Sequence, residues 1–206
     1  MDSLVYDLFN NLEPDHQEIL KHRRNLMRIT VSGLPGSGTT SLSRYLAERH
    51  GYTMISAGEV FRQLAREHNM ELAEFGRLAQ ENSEFDKMID LRQKEIAEQR
   101  DNIIVEGRLS GWMVPGANLK IWLFAPIGCR IKRIVFRDQI ADEKTAERIT
   151  IEREECEAGR YHSYYNIDIN DLSIYHIILN SEHWSVEGLG SIIDSAIAQL
   201  NFSGNH

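Results

Sequence analysis

Apolar positions along this chain follow two periods in alternation. From residue 26 onward, short runs rich in β-branched and aliphatic residues, of which Met27-Arg28-Ile29-Thr30-Val31-Ser32 is the first, give way to longer stretches where apolar residues return every three or four positions. The runs predict strands at about 27–32, 52–55, 102–106, 119–124 and 174–179. The stretches predict helices near 39–50, 57–69, 71–81, 84–100, 127–139, 142–161 and 186–200. Short strands alternating with longer helical stretches are the signature of βα units wrapped around a parallel sheet, so the fold class is α/β. The segment Ser56-Ala57-Gly58-Glu59 has capping-box spacing, which fixes a strand-to-helix turn there.

Residues 1–26 stand outside this alternation. They carry scattered apolar positions (Leu4, Val5, Leu8, Phe9, Leu12), Pro14 and the basic stretch Lys21-His22-Arg23-Arg24. Two readings stay open: an extension or start-site choice outside the minimal fold, or a helical arm that binds a partner. The expected organisation is an extension over 1–26, one domain over 27–201 and a tail over 202–206. No internal repeat or long Gly/Ser linker divides the chain further.

Composition narrows the class. With 206 residues, 42% hydrophobic and 26% charged, the chain has the balance of a water-soluble globular domain. A domain of that size buries about 70% of its unfolded surface. The longest apolar run, residues 121–127, is far too short to span a membrane. A formal charge of -8 argues against broad nucleic-acid binding. Cys129 and Cys156 have no metal-ligand spacing, and the N-terminus has no apolar signal-peptide core, so a reducing cytoplasm is the expected home. A monomer is expected.

The chemistry starts at Gly33-Leu34-Pro35-Gly36-Ser37-Gly38-Thr39-Thr40-Ser41, which follows the first strand and opens a helix. That context belongs to a P-loop: glycines let successive N–H groups turn toward phosphate oxygens, and the helix N-terminus adds its positive dipole. Thr40 stands where the motif's hydroxyl meets Mg²⁺. Thr39 stands where the motif has a lysine reaching the β- and γ-phosphates, so other cations must compensate.

Arginines fall where such compensation is useful. Arg62 lies one turn into the helix capped by Ser56, and Arg108 follows directly on the third strand, with Gly107 and Ser110 around it. Both positions fall at the carboxyl edge of a parallel sheet, where ligands bind. Either could clamp a monophosphate. Further on, Arg130, Arg133 and Arg137 share one helix face, and Arg153, Glu157 and Arg160 share a face of the next helix. Joined near residues 139–142, the two helices suit a lid, about 130–165, that closes over bound phosphates and excludes water. A salt-bridged helical pair is the plain alternative. Glu106, ending the third strand, is a candidate to orient Mg²⁺ through water or to pair with Arg108. The eight histidines show no metal or triad spacing, and Trp112, Trp122 and Trp184 read as packing residues.

The combination of residues 32–38, Ser56-Ala57-Gly58-Glu59-Val60-Phe61-Arg62, Gly107-Arg108-Leu109-Ser110-Gly111-Trp112-Met113 and Asp168-Ile169-Asn170-Asp171-Leu172-Ser173 resembles the archaeal-type cytidylate kinases. The resemblance runs from about Met27 to Asn180. It implies a three-layer P-loop nucleoside monophosphate kinase fold, a five-stranded parallel sheet in the order 2-3-1-4-5 with a short helical lid. It further implies transfer of the γ-phosphoryl group of ATP, with Mg²⁺, to CMP or dCMP. Carried over, residues 33–41 hold ATP, and Ser56, Gly58, Arg62, Gly107, Arg108, Ser110 and Glu157 surround the acceptor. Arg108, Arg153 and Arg160 reach the transferring group. Leu109 replaces the acidic residue of the bacterial-type enzymes, so base recognition does not carry over from that branch. Another acceptor such as AMP or UMP, or a non-catalytic nucleotide switch, are the competing readings.

Overall fold

The computed structural model describes residues 27–71, 74–75 and 84–203. The extension over 1–26 and most of the helix predicted over 71–81 lie outside them. The elements run β1 (Arg28–Gly33), α1 (Thr39–His50), β2 (Thr53–Ser56), α2 (Ala57–Glu67), α3 (Glu84–Gln99), β3 (Ile103–Glu106), α4 (Ser110–Met113), β4 (Leu119–Phe124), α5 (Ile127–Asp138), α6 (Glu143–Tyr165), β5 (Ile177–Asn180) and α7 (Val186–Ser203).

The five strands form one sheet in the order β2-β3-β1-β4-β5, every neighbouring pair parallel. Side chains alternate across the sheet as the pleat demands. Ile29, Val31, Leu119, Ile121 and Leu123 face Leu42 and Leu46 of α1 and Leu189, Ile193 and Ile197 of α7. Ile55, Ile103 and Val105 face the other way, onto Val60 and Leu64 of α2 and Phe85 and Ala97 of α3. Strands buried on both faces read as near-continuous apolar runs, which is why the sequence displays them clearly. The lid pair α5 and α6 packs through Ile131, Ile134 and Ala146.

Caps set the element ends. The Ser56 hydroxyl accepts from the Glu59 N–H at 3.1 Å, one half of the expected capping box. Asp142 starts α6 by accepting from the Thr145 N–H at 2.9 Å. Three boundaries differ from the sequence reading. Strand β5 begins at Ile177 rather than near 174, because Asp168 and Asp171 accept from the N–H groups of Asn170 and Ser173 and wind that stretch into turns. Helix α6 continues to Tyr165, and α7 continues to Ser203, into the stretch assigned to the tail. The short α4 has too few residues to show a helical period in sequence.

Candidate active site

The register of the sheet brings the site together. Val31 of β1 and Ser56 of β2 both pair with Glu106, so the ends of β2, β3 and β1 lie side by side at the carboxyl edge. Beyond β1 the chain turns tightly, with Ser37 N–H donating to Leu34 O at 3.1 Å, and enters α1 at Thr39. Gly36 has φ +81°, and a Cβ there would meet Arg130 O at 2.7 Å, so the turn admits only glycine. Leu34 packs against the cluster of Leu109, Trp122 and Tyr175, on the protein side of the loop.

Residues 36–41 line a cavity of about 500 Å³, which Arg44, Arg133, Arg137, Ser181 and Trp184 complete. Arg133 donates to Gly36 O at 3.2 Å and to Ser181 O at 2.7 Å, tying the loop to the connection after β5. Arg137 is bonded to its neighbour Asp138 at 2.7 Å, which offsets part of its charge. Arg130 departs from the expectation of a lid arginine facing ligand. It is 7% exposed, donates to Ala125 O and Pro35 O, and pairs with Glu154 of α6. Its inward turn makes it a tie between the loop and the lid. Trp184 packs at an edge, beside Gly188, and stands 55% exposed at the cavity rim. Arg44 escaped the sequence reading although it lies one turn beyond Thr40 on α1.

At the position of the usual lysine, the Thr39 hydroxyl donates to Glu106 Oε1 at 2.7 Å. Burial raises the Glu106 carboxyl above the ordinary carboxylate range, while the hydroxyls of Thr39 and Thr40 and the charge of Arg108 pull it back. Glu106 therefore pairs with the loop rather than with Arg108. Thr40 and Glu106 supply hard oxygen donors suited to Mg²⁺, an ion bound by few protein groups alongside substrate phosphates. No group of three or more His, Cys, Asp or Glu that could cage a metal occurs among the described residues.

Two residues after Glu106 the chain delivers Arg108 to a second cavity of about 590 Å³. Gly58, Asp90, Arg153, Glu157, Arg160 and Tyr161 also line it. Glu157, 6% exposed, pairs with Arg108 and, at 2.8 Å, with Arg153. Arg160 donates to Cys156 Sγ at 3.2 Å. Burial and the Glu157 charge push the Tyr161 hydroxyl well above the ordinary tyrosine value, keeping it a neutral donor. Asp90 and Tyr161 were not foreseen; Tyr161 is four residues beyond Glu157 on the same face of α6.

The remaining expected acceptor residues do not line either cavity. Ser56 is engaged as the α2 cap. Ser110 is 1% exposed, its hydroxyl bonded to Ser32 at 2.8 Å and to Gly107 O at 3.0 Å, which removes it from the cavity wall. Gly107 donates its N–H to Val31 O at 3.3 Å, and a Cβ there would stand in ordinary contact with Gln93 Oε1 at 3.4 Å. Arg62 is exposed on α2, its Nη1 folded back to 3.7 Å from where a Gly58 Cβ would stand.

The arrangement is thus a phosphate loop, an arginine-lined cavity beside it and a helical pair carrying arginines into both. It suits phosphoryl transfer between two anionic ligands, where positioning and charge neutralisation do most of the catalysis. Solved structures share the framework. A shikimate kinase from Bacteroides thetaiotaomicron superposes with TM-score 0.60 at 16% identity, covering 84% of this chain and 99% of that one. A gluconokinase from Sinorhizobium meliloti gives TM-score 0.57 at 14% identity, covering 89% and 99%. These likenesses concern the fold. Sequence similarity is more specific. A cytidylate kinase of Methanoregula boonei is 76% identical over 174 residues, 84% of this chain and 96% of its own length. One of Pyrococcus horikoshii is 48% identical over 177 residues, 86% of this chain and 91% of its own. The sequence profile of the cytidylate kinase-like family matches residues 28–183, and the chain belongs to that family.

Proposed function

We propose that this protein transfers the γ-phosphoryl group of ATP to CMP or dCMP, giving CDP or dCDP. The observation that carries the reading is the convergence of Arg108, Arg153 and Arg160 on one cavity, joined to the phosphate loop by the Thr39–Glu106 bond. ATP lies along residues 33–41 with its triphosphate at the N-terminus of α1. The acceptor monophosphate lies against Arg108, and Arg153 and Arg160 reach the transferring group from α6. Thr40 would hold Mg²⁺, with Glu106 as a further oxygen donor beside it. When bound, the ion neutralises developing charge on the phosphate oxygens.

The residues of the chain supply the rest. Arg133 fixes the loop carbonyls so that the N–H groups keep their aim. Arg108 orients the acceptor phosphate, and Glu157 in turn orients Arg108. The lid pair shuts out water, which favours transfer over hydrolysis. No protein base is needed in a reaction governed by alignment and charge. The enzyme is read as a cytoplasmic monomer.

A coupled assay with MgATP and each nucleoside monophosphate tests this. Turnover is expected with CMP and dCMP above AMP, UMP and GMP. A preference for AMP or UMP moves the substrate within the same site. Absence of turnover with every acceptor, in protein that binds ATP, overturns the reading.

A further inference from the structure

The second cavity has two chemically different ends. Along α6, Arg153, Glu157, Tyr161 and Tyr165 recur every four residues on one face. At 1.5 Å per residue, Glu157 and Tyr165 are about 12 Å apart along the axis. Near Glu157 the arginines gather. At the other end, the Tyr165 hydroxyl reaches across to α3 and donates to Asp90 Oδ2 at 3.0 Å. Asp90 lines the cavity beside the apolar walls Phe61 and Ile89, with Tyr161 between the two ends. Cations at one end and a carboxylate between apolar side chains at the other match the outline of a nucleoside monophosphate, phosphate to base.

We propose that Asp90 reads the exocyclic amine of the acceptor base and so favours CMP over UMP. This rests on the reading of that cavity as the monophosphate site. An ionised carboxylate only accepts hydrogen bonds. The 4-amino group of cytosine donates to it, as carboxylates accept from that amine elsewhere, whereas uracil presents a carbonyl oxygen at the same place and is repelled. Tyr165 is a positioning residue: its hydroxyl fixes the rotamer of the carboxylate.

The test compares kcat/KM for CMP, UMP and the pyrimidin-2-one ribonucleoside monophosphate, which lacks the 4-amino group, in the wild type and in Asp90→Ala. A hydrogen bond to a charged group predicts that the wild type prefers CMP over the deamino analogue by roughly 10- to 100-fold, mostly through KM. In Asp90→Ala the ratio should fall to within about threefold, because the variant no longer distinguishes the amine. A purely structural role would slow all three substrates together and leave the ratio intact; that result overturns the proposal. So does a wild type that accepts the analogue as well as CMP. If Asp90→Ala fails to fold, the wild-type comparison and Tyr165→Phe, expected to narrow the ratio without abolishing turnover, decide the matter. A wild type that phosphorylates CMP while Asp90→Ala keeps its preference overturns only the role of Asp90. A wild type that phosphorylates no monophosphate overturns the site reading, and this inference with it.

Discussion

The Thr39 hydroxyl donates to Glu106 Oε1 across 2.7 Å, so the position that carries lysine in the common P-loop pattern here holds an acid in place. The carboxylate is poorly solvated, and the hydroxyl lowers the cost of its charge. Thr39→Val keeps the volume and removes the donor. It should destabilise the fold by roughly 1.5–3 kcal/mol, the range for hydrogen bonds to charged groups. Thr39→Ser should restore most of that. Denaturant midpoints of the three proteins at neutral pH check the prediction.

Arg108 and Arg153 share Glu157 but differ in burial, with side chains 19% and 57% exposed. Removing Arg108 leaves an almost fully buried carboxylate with one partner fewer. Arg108→Ala should therefore cost about 2–3 kcal/mol of stability as well as raising KM for the acceptor. Arg153→Ala should leave the melting temperature nearly unchanged and lower kcat by roughly 100-fold or more, as expected of an arginine that meets charge on the transferring group. Calorimetry beside steady-state kinetics separates the two effects.

Tyr175 gives the fold a pH dependence at alkaline values. Burial against Trp122 pushes its hydroxyl from 10.0 up to about 12, with nearby Ser32 pulling slightly the other way. The folded chain thus holds this proton more tightly than the unfolded chain. Stability falls as pH rises from about 10 to about 12 and this group contributes no further loss above, about 3 kcal/mol in all. Tyr175→Phe should lack this component, so the difference in unfolding free energy between variant and wild type should grow across that interval. Gly111 sets the packing here: a Cβ would come within 2.5 Å of the Tyr175 ring, and Gly111→Ala should displace it.

Much of this architecture is legible in the sequence because buried parallel strands and amphipathic helices leave strong periodic signals. The strands around Val31, Val105 and Leu123 and the turn at Ser56 are local facts of that kind. What was hidden depends on partners far along the chain. Arg130 and Arg133 share a helix face, yet Arg130 turns inward because Glu154, 24 residues away, meets it there. Ser110 looks like a binding residue until Ser32, 78 residues distant, claims its hydroxyl. Asp90 on a polar helix face carries no sign of the cavity that α6 builds against it. Trp184 reads as a packing residue, but nothing local to it shows that it stands at the rim of a cavity.

Arg130 gives the sharpest test of how the loop is held. Its guanidinium donates to Ala125 O and Pro35 O at 3.1 Å each and pairs with Glu154, itself 17% exposed. Arg130→Met fills similar volume but leaves the carboxylate of Glu154 partly buried without this partner, a change expected to cost about 3 kcal/mol. Adding Glu154→Leu removes the stranded charge, and because buried pairs can often be replaced by apolar ones, the double variant should regain most of the loss. The carbonyl of Pro35 lacks the Arg130 donor in both variants. KM for ATP should therefore stay raised in the double variant even where stability returns, while KM for the acceptor changes little. Recovery of stability and of ATP affinity together would show instead that Arg130 serves the lid alone and does not hold the phosphate loop.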